Sequence, residues 1–209
     1  MQVALVVLDW SGTISDDRMP VYEANMAVLK KFGKPVLTFE EWLQESMIDA
    51  AELFWKYGVQ GDRETLNKLY KQELESAHAR GLTPTIYPDV RDTLEFLSNK
   101  KIKLAVVSSH PKENLLKEIK KYGLDKLLLL VIGDSKDKIA DLKQIAHDLK
   151  IKPGFGLYID DTVWGIRAAK KAGFKSAAIL TGYHLKERLS AENPDIILEK
   201  LSDLKKHIT

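Results

Sequence analysis

Five short runs rich in apolar residues punctuate the chain: Val3 to Leu8, Leu104 to Val107, Leu127 to Ile132, Leu157 to Ile159 and Ser176 to Leu180. Each is dominated by Val, Leu, Ile or Ala. Continuous rather than alternating apolar character suits strands covered on both faces. Longer segments of helical period separate them, so the predicted architecture is α/β, a doubly wound parallel sheet flanked by helices.

Several of these helices carry readable ends. Pro111 can sit at a first helical position, Leu115, Leu116, Ile119 and Tyr122 supply an apolar stripe, and Gly123 is suited to close the helix. Thr162 can cap a helix from Val163 to Ala172 that ends at Gly173, and a third helix begins near Asp89 with Val90, Leu94 and Leu97 on its inner face.

From Asp17 to about Leu82 the strand and helix alternation stops. Helical patterns run over Val21 to Phe32, Phe39 to Tyr57 and Arg63 to Arg80 with no strand among them, which predicts a helical insertion after the first strand. The stretch GLTPTIYPDV, with Pro84 and Pro88, reads as the return linker. The expected organisation is a core of residues 1–16 and 83–209 with a helical unit of residues 17–82.

Composition narrows the function classes. With 209 residues, 44% of them apolar, the chain can bury a full core. The 32 Lys and Arg against 30 Asp and Glu leave a net charge of +2, so no nucleic-acid or membrane surface is expected. The absence of cysteine excludes disulfides, thiolate metal sites and cysteine nucleophiles. No basic leader precedes the first acid, which predicts a cytoplasmic protein. A monomer or homodimer is expected.

In parallel sheets, ligands bind beyond the carboxyl ends of the strands, where the strand order reverses. Asp9, Ser108 and the pair Asp160 and Asp161 each end a predicted strand. Taken singly, each has an ordinary use: a turn before Gly12, a loop hydroxyl, a pair of capping acids. Taken together, they offer polar groups from three strands to one rim.

These residues carry a family resemblance. DWSGTISD, beginning at Asp9, resembles the first motif of the haloacid dehalogenase-like hydrolases. Ser108 in KLAVVSSHPKE resembles their second motif, and YIDDTVWGIRAAKKAG resembles the acidic-pair form of the fourth. The third, a lysine within GDSKDKIADLKQ, falls on Lys138 or Lys136, with Lys138 preferred.

The resemblance implies a Rossmann-like core with a small helical cap. It also implies a Mg²⁺-dependent phosphatase that passes through an aspartyl-phosphate. Asp9 would be the nucleophile, and Asp9, the Ser11 carbonyl, Asp160 and Asp161 would hold the metal. Gly12, Ser108, Ser109 and the lysine would hold the phosphate of a small phosphorylated substrate. The physics agrees: an ordinary Asp, with a pKa of about 3.9, is ionised at neutral pH and needs no base to attack.

Two positions depart from the family. Most of its phosphatases carry a second Asp where this chain has Ser11, and a hydroxyl cannot protonate a leaving group near neutral pH. General acid–base catalysis contributes about 10² to 10⁴-fold, so loss of that acid predicts slower hydrolysis of unactivated esters. Asp16, Asp17 and His110 are other acids within reach in sequence. Gly165 replaces the later acid frequent in motif four.

Two other readings follow from Ser11. DWSGT resembles the DWAGT of phosphonoacetaldehyde hydrolases, which use a Schiff-base lysine from the cap. The matching cap region, about Met47 to Ala51, has no lysine, and the nearest is Lys56. The other is a phosphate- or partner-binding protein that kept the fold and lost turnover. Haloacid dehalogenation would need an aromatic residue at the Ser11 position. Within the cap, Trp42, Met47, Phe54, Trp55 and Tyr57 offer large side chains, most of them expected to pack the cap's own core.

Overall fold

The computed structural model describes residues 1–45 and 49–208. In chain order its strands and α-helices are β1 (Leu5–Leu8), β2 (Ser15–Asp16), α1 (Arg18–Lys31), α2 (Phe39–Glu45), α3 (Ala50–Lys56), α4 (Arg63–Ala79), β3 (Thr85–Ile86), α5 (Val90–Asn99), β4 (Lys103–Val107) and α6 (Lys112–Lys121). They continue with β5 (Leu130–Ile132), α7 (Lys138–Asp148), β6 (Gly156–Asp160), α8 (Val163–Ala172), β7 (Lys175–Ile179), α9 (Lys186–Ser190) and β8 (Ile196–Leu198). The chain divides into two compact units, Met1–Asp16 with Ile86–Thr209, and Asp17–Thr85.

In the first unit, six parallel strands run in the order β5, β4, β1, β6, β7, β8. The sequence explains why both faces are covered. Val6 and Leu8 point into a core with Leu94 and Leu97 of α5 and Leu115 and Ile119 of α6. Leu5 and Val7, on the opposite face, pack with Leu142 and Ile145 of α7 and Ala169 of α8. Every residue of β1 is fully buried, as its unbroken apolar run requires.

Helix α8 has the expected ends. The Thr162 side chain accepts from Gly165 N, and Gly173 closes the helix at φ +81°. Helix α6 follows Pro111, which is its N-cap rather than its first helical residue, and Gly123 takes φ +62° just beyond it. Two strand expectations are corrected. The run from Leu127 pairs as β5 only from Leu130, because Leu127 N and Leu128 N both turn back onto Leu124 O. Ile196–Leu198 forms an edge strand that the apolar runs did not single out.

The second unit is helical up to Thr85. α1 packs chiefly on α4, and Trp42, Leu53, Phe54 and Leu66 are buried. The single helix expected over Phe39 to Tyr57 is two. Asp49, in an extended conformation, accepts from Ala51 N and starts α3 afresh. Met47 lies outside the described residues. Trp55 is exposed, unlike Trp42 and Phe54. The first unit resumes at Ile86, within the Pro-bounded linker. Among the described residues no helix is long and apolar enough to cross a membrane.

Candidate active site

β1 lies between β4 and β6 in the middle of the sheet, so the chain leaving β1 emerges where the strand order reverses. Leu8 pairs in register with Ile159, and Asp9 N donates to Ile159 O at 2.9 Å, which sets the Asp9 and Asp160 positions side by side. Asp9, Ser108, Asp160 and Asp161 are all buried. The strand ends thus place three carboxylates and a hydroxyl on one rim, in a region with little water.

Lys138 supplies the compensating charge. It is the first residue of α7, whose N-cap Asp137 accepts from Ile139 N and Ala140 N. Its Nζ donates to Asp160 Oδ2 at 2.7 Å and lies 3.1 Å from Asp9 Oδ1, off the hydrogen-bonding direction. The ammonium also sits 5.7 Å from the centre of the buried Tyr158 ring. Ser135 N donates to Ser108 O and Ser135 Oγ to Asp141 Oδ2, tying the start of α7 to the end of β4.

The two adjacent acids have different surroundings. Asp160 accepts from Lys138 through one oxygen, and from Thr162 N and Oγ1 through the other at 2.8 and 2.6 Å. Asp161 accepts from Tyr183 N at 2.7 Å and from Thr13 Oγ1 at 3.3 Å. Glycines wall both carboxylates. A Cβ on Gly12 or Gly182 would lie 2.5 or 2.0 Å from Asp161 Oδ2. One on Gly165 would lie 1.9 Å from Asp160 Cγ, so no acid fits at position 165 with Asp160 as placed.

Electrostatics follow this arrangement. Burial is the largest influence on Asp9 and raises its pKa to about 6, with Asp160 adding to it and Lys138 opposing. Burial, then the charges of Asp160 and Asp9, raises Asp161 well above the usual range. For Asp160 burial also pushes upward, but Lys138 and Thr162 outweigh it and hold the carboxyl low. Burial would lower Lys138; Asp160 and Asp9 keep it well above its ordinary value.

A hard divalent cation fits this donor set. Ligand oxygens of Asp9, Asp160 and Asp161 lie within 4.8 Å of one another. Asp9 Oδ1 is buried and accepts no well-directed hydrogen bond, with the Lys138 ammonium 3.1 Å away, which leaves it lone-pair capacity for a cation. An all-oxygen, carboxylate-rich set suits Mg²⁺.

Of the two candidate lysines, Lys138 reaches the carboxylates and Lys136 is exposed. Ser109 is an exposed loop residue beside buried Ser108. Ser11 forms a bridge with Ser15 in the turn after Asp9. Gly12 N–H, expected to face the phosphate, donates to Ser15 O at 2.8 Å in this structure. Gly12 serves the site through its positive φ of 73° and its missing side chain.

Sequence reasoning missed the loop of Thr181 to His184. Thr181 Oγ1 donates to Gly12 O, Gly182 and Tyr183 enclose Asp161, and His184 Nδ1 accepts from Val163 N at 3.0 Å. Burial lowers the His184 pKa to about 4, keeping that acceptor nitrogen unprotonated. Tyr183 acts through a backbone N–H and Gly182 through its missing side chain, neither of which leaves a pattern in sequence, and Thr181 and His184 use side chains that brace the loop without ending an apolar run.

Comparisons with known proteins agree with the geometry. The chain is 26% identical to a phosphoglycolate phosphatase of Vibrio parahaemolyticus, over 97% of this chain and 94% of that protein. It is 29% identical to a phosphoglycolate phosphatase of Aquifex aeolicus, over 97% and 95%. A crystal structure described as a predicted phosphoglycolate phosphatase from Haemophilus somnus 129PT shares the fold, with a TM-score of 0.80 at 21% identity over 99% of this chain and 98% of that one. The family model for haloacid dehalogenase-like hydrolases matches residues 6–179, from β1 through β7, and the chain belongs to that family of hydrolases.

Proposed function

We propose that the protein is a Mg²⁺-dependent phosphatase that hydrolyses a small phosphate monoester through an aspartyl-phosphate on Asp9. One observation carries this reading: a partly buried ammonium, Lys138, stands 3.1 Å from Asp9 and 2.7 Å from Asp160, both buried, at the strand ends. A carboxylate attacking an anionic phosphate needs cations beside it. One unit-charge pair at 4 Å costs about 4 kcal/mol at an effective dielectric near 20.

Asp9, Asp161 and Asp160, with the Ser11 carbonyl, would hold Mg²⁺, which when bound supplies charge neutralisation for the phosphoryl group. In the first half-reaction an Asp9 carboxylate oxygen bonds to phosphorus and the bond to the leaving oxygen breaks. Water then attacks phosphorus and gives up a proton to solvent, matching the one that the departing alkoxide takes from solvent, while the Asp9–phosphorus bond breaks and the carboxylate is regenerated. Lys138 holds its proton throughout and stabilises anionic oxygens. Ser108 and Ser109 would orient the phosphate.

Ser11 leaves the leaving group without the family's usual proton donor. Esters with good leaving groups therefore suit the site better than plain alkyl phosphates. The names of the relatives make 2-phosphoglycolate a candidate substrate, and because it is an alkyl ester, Ser11 implies that it turns over more slowly than activated esters do. The carbon–phosphorus alternative is not favoured. The cap region that would supply the lysine, about Met47 to Ala51, has none, and Lys56, the nearest, is an exposed residue paired with Glu45.

The test is a panel of 2-phosphoglycolate, sugar, acyl and aryl phosphates with Mg²⁺. Release of phosphate by the wild type should fall by about 10⁴-fold in Asp9→Asn, the scale of losing a nucleophile. Ser11→Asp should raise kcat on alkyl esters by about 10²-fold. No Asp9-dependent release from any ester would overturn the reading.

A further inference from the structure

One carboxylate outside the metal cluster joins two arms of the site. Trp10 lies between Asp9 and Ser11, is fully buried, and donates its indole Nε1–H to Glu118 Oε2 at 2.7 Å. The other oxygen, Glu118 Oε1, lies 3.3 Å from His110 Nε2. His110 in turn donates its backbone N–H to Ser108 Oγ at 3.2 Å. Glu118 thus links the turn after β1 to the loop after β4, through a hydrogen bond at Oε2 and a 3.3 Å contact at Oε1.

The platform beneath this link is fixed. Leu115 and Ile119 anchor α6 in the core on either side of Glu118. At the start of α6, Asp134 adopts φ +54°, accepts from Lys112 N through Oδ2, and donates its own N–H to His110 O. Gly133 packs so closely that a Cβ there would lie 2.6 Å from Lys112 Cα. Asp134 thus holds the His110 loop against the start of α6 through two hydrogen bonds, in a space that only a glycine at 133 leaves open. Burial pushes the Glu118 pKa upward, but His110 and Trp10 outweigh it and hold it low, so the brace is ionised at neutral pH.

We propose that Glu118 is a positioning residue, which through Trp10 and His110 sets the distance between the Asp9 nucleophile and the Ser108 phosphate loop. The inference rests on the phosphatase reading of that site. Inorganic phosphate, bound by cations and the Ser108 loop, tolerates a small displacement of Asp9. A five-coordinate phosphoryl group in line with Asp9 does not, because misplacement by about 1 Å can cost 10²-fold. Removing the brace therefore lowers kcat and spares ground-state binding.

The experiment compares wild type, Glu118→Ala, Glu118→Gln, Trp10→Phe and the Trp10→Phe/Glu118→Ala double variant, all with Mg²⁺. With the best ester of the panel, Glu118→Ala should lose at least tenfold in kcat with KM within threefold. Glu118→Gln keeps an acceptor for the indole and should recover to within threefold of wild type. Trp10→Phe removes the indole donor, and the double variant should be no slower than the slower single one. In parallel, Glu118→Ala should bind orthovanadate, which mimics the five-coordinate phosphoryl group, at least tenfold more weakly, and inorganic phosphate equally well.

Equal loss of vanadate and phosphate affinity, additive effects, or unchanged kcat with only a lower Tm would each overturn the proposal. Should Glu118→Ala fail to fold, the Trp10→Phe variant carries the same vanadate and phosphate comparison. An absence of Asp9-dependent turnover in wild type would defeat the phosphatase reading alone. The vanadate and phosphate split would still decide the role of Glu118.

Discussion

Lys138 in the sheet unit and Arg63 in the helical unit are built on one local plan. Each is the first residue of a helix, α7 or α4, behind an Asp N-cap, Asp137 or Asp62. Each stands between two carboxylates and near an aromatic ring. Lys138 has Asp9, Asp160 and Tyr158; Arg63 has Asp49, Glu52 and Trp55. Each also places a cation at the positive end of a helix dipole, a small cost that the acids offset.

Burial separates them. The Lys138 side chain is 21% exposed between acids at 8% and 0%, whereas that of Arg63 is 49% exposed between acids at 17% and 41%. In water the second arrangement is a surface ion pair of small consequence. Out of water the first forces charges to be matched and shifts the pKa values of its partners. The same residue pattern is therefore ornamental in one unit and chemical in the other.

The largest break in this comparison comes from deleting the buried cation. Lys138→Met leaves Asp9 and Asp160 facing each other unpaired, and removing one partner of such a pair costs about 3 kcal/mol or more. Thermal unfolding should show that loss in metal-free protein, with phosphatase activity falling at least 10²-fold. Arg63→Met, at the other end of the scale, should leave Tm close to that of the wild type in the same assay.

Metal binding gives an intermediate effect with a defined sign. Asp9 and Asp161 have folded-state pKa values above the ordinary carboxylate range, Asp9 at about 6. The metal-free fold therefore gains stability from Asp9 as pH falls through 6 toward 4, and loses that contribution as pH rises again. Mg²⁺ must displace those protons. Its Tm increment should be largest near pH 7.5 and shrink below pH 6, with affinity falling about tenfold per pH unit for each proton displaced. A Tm increment independent of pH between 5 and 7.5 would contradict the electrostatics described here.

The comparison also explains what the sequence could reveal. The buried strands were legible because burial on both faces forces continuous apolar runs, and the acids stood out because they ended those runs. β8 was not, since Ile196–Leu198 is a three-residue edge strand with an exposed middle residue beside Pro194. The break at Asp49 was masked by apolar residues that keep helical spacing across it. Lys138 could be preferred over Lys136 only through the spacing of family motifs, and geometry supplies the reason.

Other parts of the site had no sequence signal at all. Gly182 matters because Asp161 occupies the space a side chain would need, and Tyr183 through a backbone N–H. Trp10 and Glu118 are separated by 108 residues and meet through a single hydrogen bond. Ser11 was legible as a departure from the family motif.

The central claim is that Asp9 becomes phosphorylated. Acid-quenched enzyme turning over its best ester with Mg²⁺ can be reduced with borohydride, which converts an acyl phosphate to an alcohol, and then mapped by peptide mass spectrometry. The predicted result is reduction at Asp9, present with wild-type protein and substrate and absent without substrate. Turnover with Asp9 unmodified and the label on another residue would contradict it.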